Sequence, residues 1–154
     1  MLDLGCGPGY YARALAEMGF AVEAWDASRE MVALAAEQGA VEVRQAVFDD
    51  LNAEARYDGI WANFSLLHAR RADLPGLLAR IRRAGKPGMV FHIGMKLGTG
   101  EGPDALGRFY AYYQEDELVA LLNAAGLDVK RRWHGAGAGL DGVMARHVMM
   151  LCHG

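Results

Sequence analysis

Apolar runs of strand length alternate along this chain with segments whose apolar residues recur every three to four positions. That alternation predicts a parallel sheet with crossover helices on both faces. The first strand holds Leu2-Asp3-Leu4, and a helix follows from about Gly9 to Met18, with Ala12, Leu15 and Ala16 inward and Gly19 closing it. A second strand, Ala21 to Trp25, leads to the N-cap Ser28 and a helix carrying Met31, Val32, Leu34 and Ala35 as far as Gly39. Val41 to Ala46 is the third strand and Tyr57 to Ala62 the fourth. Asp73 to Ala84 forms an amphipathic helix, with Leu74, Leu77, Leu78 and Ile81 on one face.

Gly85-Lys86-Pro87-Gly88 is expected as a turn, and Met89 to Ile93 as a strand buried on both sides. The stretch Gly94 to Arg108 is too long for a plain connector and is expected to be a loop on the substrate side. Gln114 to Ala125 is a helix stopped by Gly126, and Leu127 to Trp133 and Arg146 to Cys152 are the last strands. No helical pattern separates these two, so they must be antiparallel neighbours. The expectation is a single domain over residues 1–154. It is an α/β, Rossmann-like three-layer sandwich, whose seven-stranded, mostly parallel sheet ends in an antiparallel strand.

Composition narrows the functional classes. Hydrophobic residues make up 53% of the chain, yet none of its apolar runs approaches the roughly 18 residues of a membrane span. No export signal is legible at the start, so no membrane association and a cytoplasmic location are expected. A net charge of -3 argues against a nucleic-acid partner, because such binding depends on clustered Lys and Arg. Arg70-Arg71, Arg80-Arg82-Arg83 and Lys130-Arg131-Arg132 read as solvated faces or edge-strand protection. Cys6 and Cys152 match neither a zinc spacing nor a redox pair, and the five histidines show no ligand spacing, so no metal is expected.

The chemistry gathers at the carboxyl ends of the strands. Gly5, Gly7 and Gly9 keep Cβ atoms out of the loop after strand one, so its backbone can approach a ligand. Asp26 falls 17 residues after Gly9, where a carboxylate can accept both ribose hydroxyl protons. A dinucleotide fingerprint needs a third small residue where this chain has Tyr10, and a reductase usually adds a Tyr-x-x-x-Lys pair. Both are missing, which leaves a nicotinamide-dependent reductase or epimerase as the weaker alternative. Asn63, Phe64, Ser65 and His68 follow strand four, with His68 the candidate proton acceptor.

Leu2-Asp3-Leu4-Gly5-Cys6-Gly7-Pro8-Gly9 resembles the first motif of the class I S-adenosylmethionine-dependent methyltransferases. The similarity continues through Trp25-Asp26-Ala27-Ser28, Phe48-Asp49-Asp50-Leu51 and Tyr57-Asp58-Gly59-Ile60-Trp61-Ala62-Asn63, and the C-terminal half looks like the small-molecule branch. The resemblance implies S-adenosyl-L-methionine as cofactor, held by Asp3, Gly5, Cys6, Gly7, Gly9, Asp26, Ala27, Met31, Asp49, Asp50, Leu51 and Asn63. In this set Asp3 orients the glycine loop and faces the methionine amino group, Asp49 accepts from the adenine amino group, and Asp50 and Leu51 offer backbone to the ring. Met31 and Phe48 are placed to sandwich the adenine, although methionine at helical spacing also suits a core.

The implied reaction is in-line methyl transfer to a small-molecule acceptor. Phe64, Arg108, Tyr110 and Tyr113 are the candidate acceptor residues, Arg108 for an anionic group, although the tyrosines equally suit a structural cluster. Family members that methylate base amino groups carry an Asn/Asp-Pro-Pro-Tyr tetrad after strand four, and those acting on a cytosine carbon use a cysteine there. Asn63-Phe64-Ser65-Leu66 has neither. Relatives place a few tens of residues before strand one, over the cofactor and part of the substrate pocket, whereas this sequence opens inside that strand. Three readings follow: a shortened sequence, a site covered by another subunit as in a homodimer, or a non-catalytic binding module.

Overall fold

β1 (Leu2–Leu4) is buried at all three positions, its aspartate included, because it lies between two parallel neighbours. One is β2 (Glu23–Asp26) and the other β4 (Tyr57–Asn63). The structure is a computed structural model and describes residues 1–39, 41–139 and 142–154. β3 (Glu42–Gln45) extends the sheet beyond β2, and β5 (Gly85–Lys96) extends it beyond β4, both in parallel.

Two long antiparallel strands finish the sheet: β8 (Asp128–Ala138) and β9 (Met144–His153). β9 lies between β5 and β8, so the order is β3-β2-β1-β4-β5-β9-β8. This is the seven-stranded, mostly parallel sheet with an antiparallel last strand that the pattern predicts. β8 runs five residues past the expected Trp133, and its Lys130, Arg131 and Arg132 are exposed on an edge strand, where charge blocks edge-to-edge pairing.

Helices cover both faces. α1 (Tyr10–Glu17) and α2 (Arg29–Glu37) meet β2 through a small core of Cys6, Ala12, Val22, Ala24 and Ala35. α3 (Leu74–Ala84) and α4 (Glu115–Ala124) cover the other face. There Leu74, Leu78, Ile81, Leu118 and Leu122 join Ile60, Phe91, Ile93 and Val148 in the main core. Each such aliphatic side chain, fully removed from water, contributes about 1.5–3 kcal/mol before conformational entropy is counted. Ser28 caps α2, its Oγ accepting from the Met31 amide at 3.2 Å.

Two expectations need correction. The expected turn at residues 85–88 is a bulge inside β5: Gly85 pairs with Tyr57 and Val90 with Gly59, with Gly88 at φ 78° between them. The expected loop of residues 94–108 is also more ordered than its glycines suggest. β5 continues to Lys96, and β6 (Glu101–Pro103) folds back on β7 (Phe109–Ala111) as a hairpin. Asp104 closes that hairpin, Oδ1 accepting the Leu106 and Arg108 amides at 2.9 Å each while Oδ2 holds the Arg108 guanidinium.

Candidate functional site

The parallel strands β1, β2 and β4 deliver their carboxyl ends to one edge of the sheet, and a cleft of about 1050 Å³ opens there. The glycine loop forms its floor. Gly5, Gly7 and Gly9 all take positive φ, at 78°, 53° and 84°. At Gly5 a Cβ would overlap the Ser65 side chain, whereas at Gly7 nothing lies within 4 Å, so that backbone is bare toward the cleft. Gly9 is buried at the N-cap of α1, where close approach to Ala35 replaces any contact with the cleft.

Asp26 ties this loop to β2. Its Oδ2 accepts the Gly7 amide at 2.8 Å and its Oδ1 the Ser28 amide at 2.9 Å. Each oxygen keeps a lone pair for a ligand hydroxyl, because a carboxylate has about four acceptor sites. Cys6, Ala27 and Met31 line the same cleft. The Cys6 thiol is pushed up to about 12 by burial and by the negative Asp3 and Asp26, so it stays protonated and packs.

Asp3 does not line the cleft; it is 2% exposed beneath the loop. Burial raises its carboxyl to about 7, partly offset by the Ala12 amide and reinforced by Asp26. One oxygen, Oδ2, is buried without a hydrogen-bond partner.

After β3 the chain departs from expectation. Asp49, Asp50 and Leu51 do not line the cleft; Ala46, Val47 and Phe48 do. A single 3-10 turn at Phe48–Asp50 is the cause. It swings Asp49 outward, 80% exposed and 3.7 Å from Arg80, and spends Asp50 on the Val47 amide at 2.9 Å. Leu51 is 1% exposed in the main core.

The end of β4 supplies the opposite wall. Asn63, Phe64, Ser65 and His68 line the cleft, and Ser65 Oγ donates to the Leu4 carbonyl at 2.6 Å, locking β4 to β1. Behind Asn63, the His92 ring stacks on Trp61 with centroids 3.6 Å apart and donates from Nε2 to Asn63 Oδ1 at 3.0 Å. Burial lowers His92 to about 4, so the ring is neutral at neutral pH. His68 is exposed to the cleft, and its Nδ1 lies 2.7 Å from the Phe109 carbonyl of β7. A carbonyl only accepts, so Nδ1 carries the proton, and in the neutral ring Nε2 is left with a lone pair.

Arg108 reaches the cleft from the hairpin, paired with Asp104. Tyr110 and Tyr113 do not line the cleft: they are 6% and 1% exposed, Tyr110 packing behind His68 with ring centroids 4.8 Å apart. Sequence reasoning left Tyr10, Tyr11, Val47 and Phe109 out of the site, and all four line it. Among the described residues no group of three or more His, Cys, Asp and Glu is placed to hold a metal ion. No helix among them is long and apolar enough to cross a membrane.

Residues 1–88 match a family model described as a methyltransferase domain. A trans-aconitate 2-methyltransferase from Mycolicibacterium gilvum (strain PYR-GCK) is 54% identical over 41 residues, 25% of this chain and 16% of that protein. The chain thus matches about a sixth of that relative's length. Among solved structures, 1,6-didemethyltoxoflavin-N1-methyltransferase from Burkholderia thailandensis is 28% identical and superposes over 99% of this chain and 69% of its own, TM-score 0.81. That structure holds 1,6-didemethyltoxoflavin and S-adenosylhomocysteine. A methyltransferase from Methanosarcina mazei, 17% identical, superposes over 99% of this chain and 90% of its own, TM-score 0.84. The chain belongs to the methyltransferase-domain family and has the fold of the class I S-adenosylmethionine-dependent methyltransferases.

Proposed function

We propose that the cleft binds S-adenosyl-L-methionine and that the chain directs methyl transfer to a small-molecule acceptor. The observation that carries this reading is Asp26, whose carboxylate braces the glycine loop while facing the cleft beside Gly7. The residues present fit the cofactor. Bare backbone at Gly7 suits close approach of a ligand, and the unpartnered Asp3 oxygen beneath the loop suits a nearby cation such as the amino group of an amino-acid tail.

When bound, the cofactor supplies a methyl group made electrophilic by its sulfonium. Asp26 would accept from the ribose hydroxyls, and Met31, Val47 and Phe48, which line the cleft, would border the base in place of Asp49, Asp50 and Leu51. Asn63, Phe64, His68, Arg108 and Phe109, which line the cleft, would form the acceptor end. The protein's task there is to align the nucleophile and exclude water, and such positioning supplies several orders of magnitude in rate.

Calorimetry with S-adenosylhomocysteine and with NAD tests the binding half. Binding of the first and silence of the second is expected; the reverse would return the chain to nucleotide-dependent redox chemistry. Turnover against a panel of small amines, thiols, phenols and carboxylates tests the second half, and cofactor binding with no methylated product would leave a binding module.

A further inference from the structure

We propose that Arg71 is a positioning residue that fixes the tautomer of His68, and that the acceptor therefore bears a nucleophile with a proton to lose, an O–H or N–H group. The proposal rests on the reading of His68 as part of the acceptor end. The two residues stand three apart in the segment after β4, and both grip the β6–β7 hairpin. His68 does so through the Phe109 carbonyl at 2.7 Å. Arg71 does so twice over: its backbone amide donates to the Glu101 carboxylate of β6 at 2.6 Å, and its guanidinium holds the chain just past β7, Nη1 donating to the Tyr112 carbonyl and the group covering the Tyr113 ring at 4.4 Å. Nη2 pairs with Glu117 of α4, so the hairpin, the post-β4 segment and α4 converge on one residue.

The register of the hairpin carries this grip to the site. Glu101 pairs with Ala111 and Pro103 with Phe109, so whatever holds Glu101 and Tyr112 sets where the Phe109 carbonyl lies. That carbonyl decides which ring nitrogen of neutral His68 holds the proton. With Nδ1 protonated, Nε2 has a lone pair on a ring exposed to the cleft and backed by Tyr110. Such a nitrogen can take a proton from an acceptor's O–H or N–H as that atom becomes nucleophilic. A carboxylate acceptor has no proton to give and gains nothing from this arrangement.

Histidine-labelled protein, observed by long-range proton–nitrogen correlation at alkaline pH, reads the tautomer without any acceptor. The wild-type chain is expected to show His68 as the Nδ1–H form. Arg71→Met is expected to shift it toward the Nε2–H form while leaving S-adenosylhomocysteine affinity within about twofold, since Arg71 touches nothing around the glycine loop. Arg71→Lys, which keeps the cation for Glu117, should restore part of the Nδ1–H signal. Should Arg71→Met not fold, Glu101→Ala, which removes the acceptor of the Arg71 backbone amide and so loosens the other hold on the hairpin, is expected to give the same shift. A wild-type Nε2–H ring, or an Nδ1–H ring unmoved in these variants, would overturn the proposal. So would turnover confined to carboxylates and indifferent to His68→Gln. Failure of the wild-type chain to bind S-adenosylhomocysteine would instead remove the methyl-transfer reading and leave the tautomer result standing alone.

Discussion

Asp26 Oδ2 accepts the backbone amide of Gly7 at 2.8 Å, so the carboxylate proposed for the ribose hydroxyls is also the brace of the glycine loop. Loss of this side chain therefore removes a ligand contact and loosens the loop together. Asp26→Ala should weaken S-adenosylhomocysteine binding by about 1–3 kcal/mol, roughly fivefold to more than a hundredfold, read by calorimetry. Unchanged affinity would remove Asp26 from the site.

Gly5 and Gly7 share a positive φ but not an environment. Gly7→Ala should cost only the left-handed backbone penalty, about 1–2 kcal/mol, and abolish cofactor binding because the new methyl group faces the cleft. Gly5→Ala adds overlap with Ser65 and should lower the melting temperature further. Equal melting temperatures in the two variants would contradict the packing described at Gly5.

Asp49 and Phe48 are adjacent, and the 3-10 turn sends them opposite ways. Phe48→Ala should cost about 1–3 kcal/mol of S-adenosylhomocysteine affinity if its ring borders the adenine. Asp49→Ala breaks only an exposed pair with Arg80 and should change affinity and stability by less than about 0.5 kcal/mol. A large effect at Asp49 with none at Phe48 would reverse the placement.

Two buried groups give stability opposing dependences on pH. Burial raises Asp3 from 3.8 to about 7, so between those values the folded chain holds a proton that the unfolded chain has released. Its contribution is complete at low pH and is lost as the pH climbs through that window. His92 is lowered from 6.5 to about 4, so its contribution is present above 6.5 and is lost as the pH falls. From about pH 4 to 6.5 the two slopes offset each other in the wild-type chain. In Asp3→Asn, stability should therefore rise with pH there, by up to about 1.4 kcal/mol per unit; in His92→Gln it should fall. Urea titrations at half-unit intervals check both signs.

The strands and helices were legible because each buries a periodic face: the spacing of Leu74, Leu77, Leu78 and Ile81 is enough to mark α3. The glycine loop and Asp26 were legible for a local reason, since strand, loop and strand end lie close together in sequence. The residues after β3 were harder to place. Whether Val47 or Asp49 faces the cleft depends on one tight turn, and chemistry favoured the carboxylate while geometry favoured its apolar neighbour. The hairpin was hidden for a different reason. Its strands are three residues each, and its order comes from Asp104 and from Arg71, a residue some thirty positions earlier that periodicity cannot connect to it.

β9 follows β8 in sequence but lies between β8 and β5. β8 therefore reaches the sheet only through β9, and until that strand is seated its eleven residues have no hydrogen-bonded neighbour there. Lys130, Arg131 and Arg132, which shield the finished edge, also give the unseated strand a like-charge repulsion from the same strand of another copy.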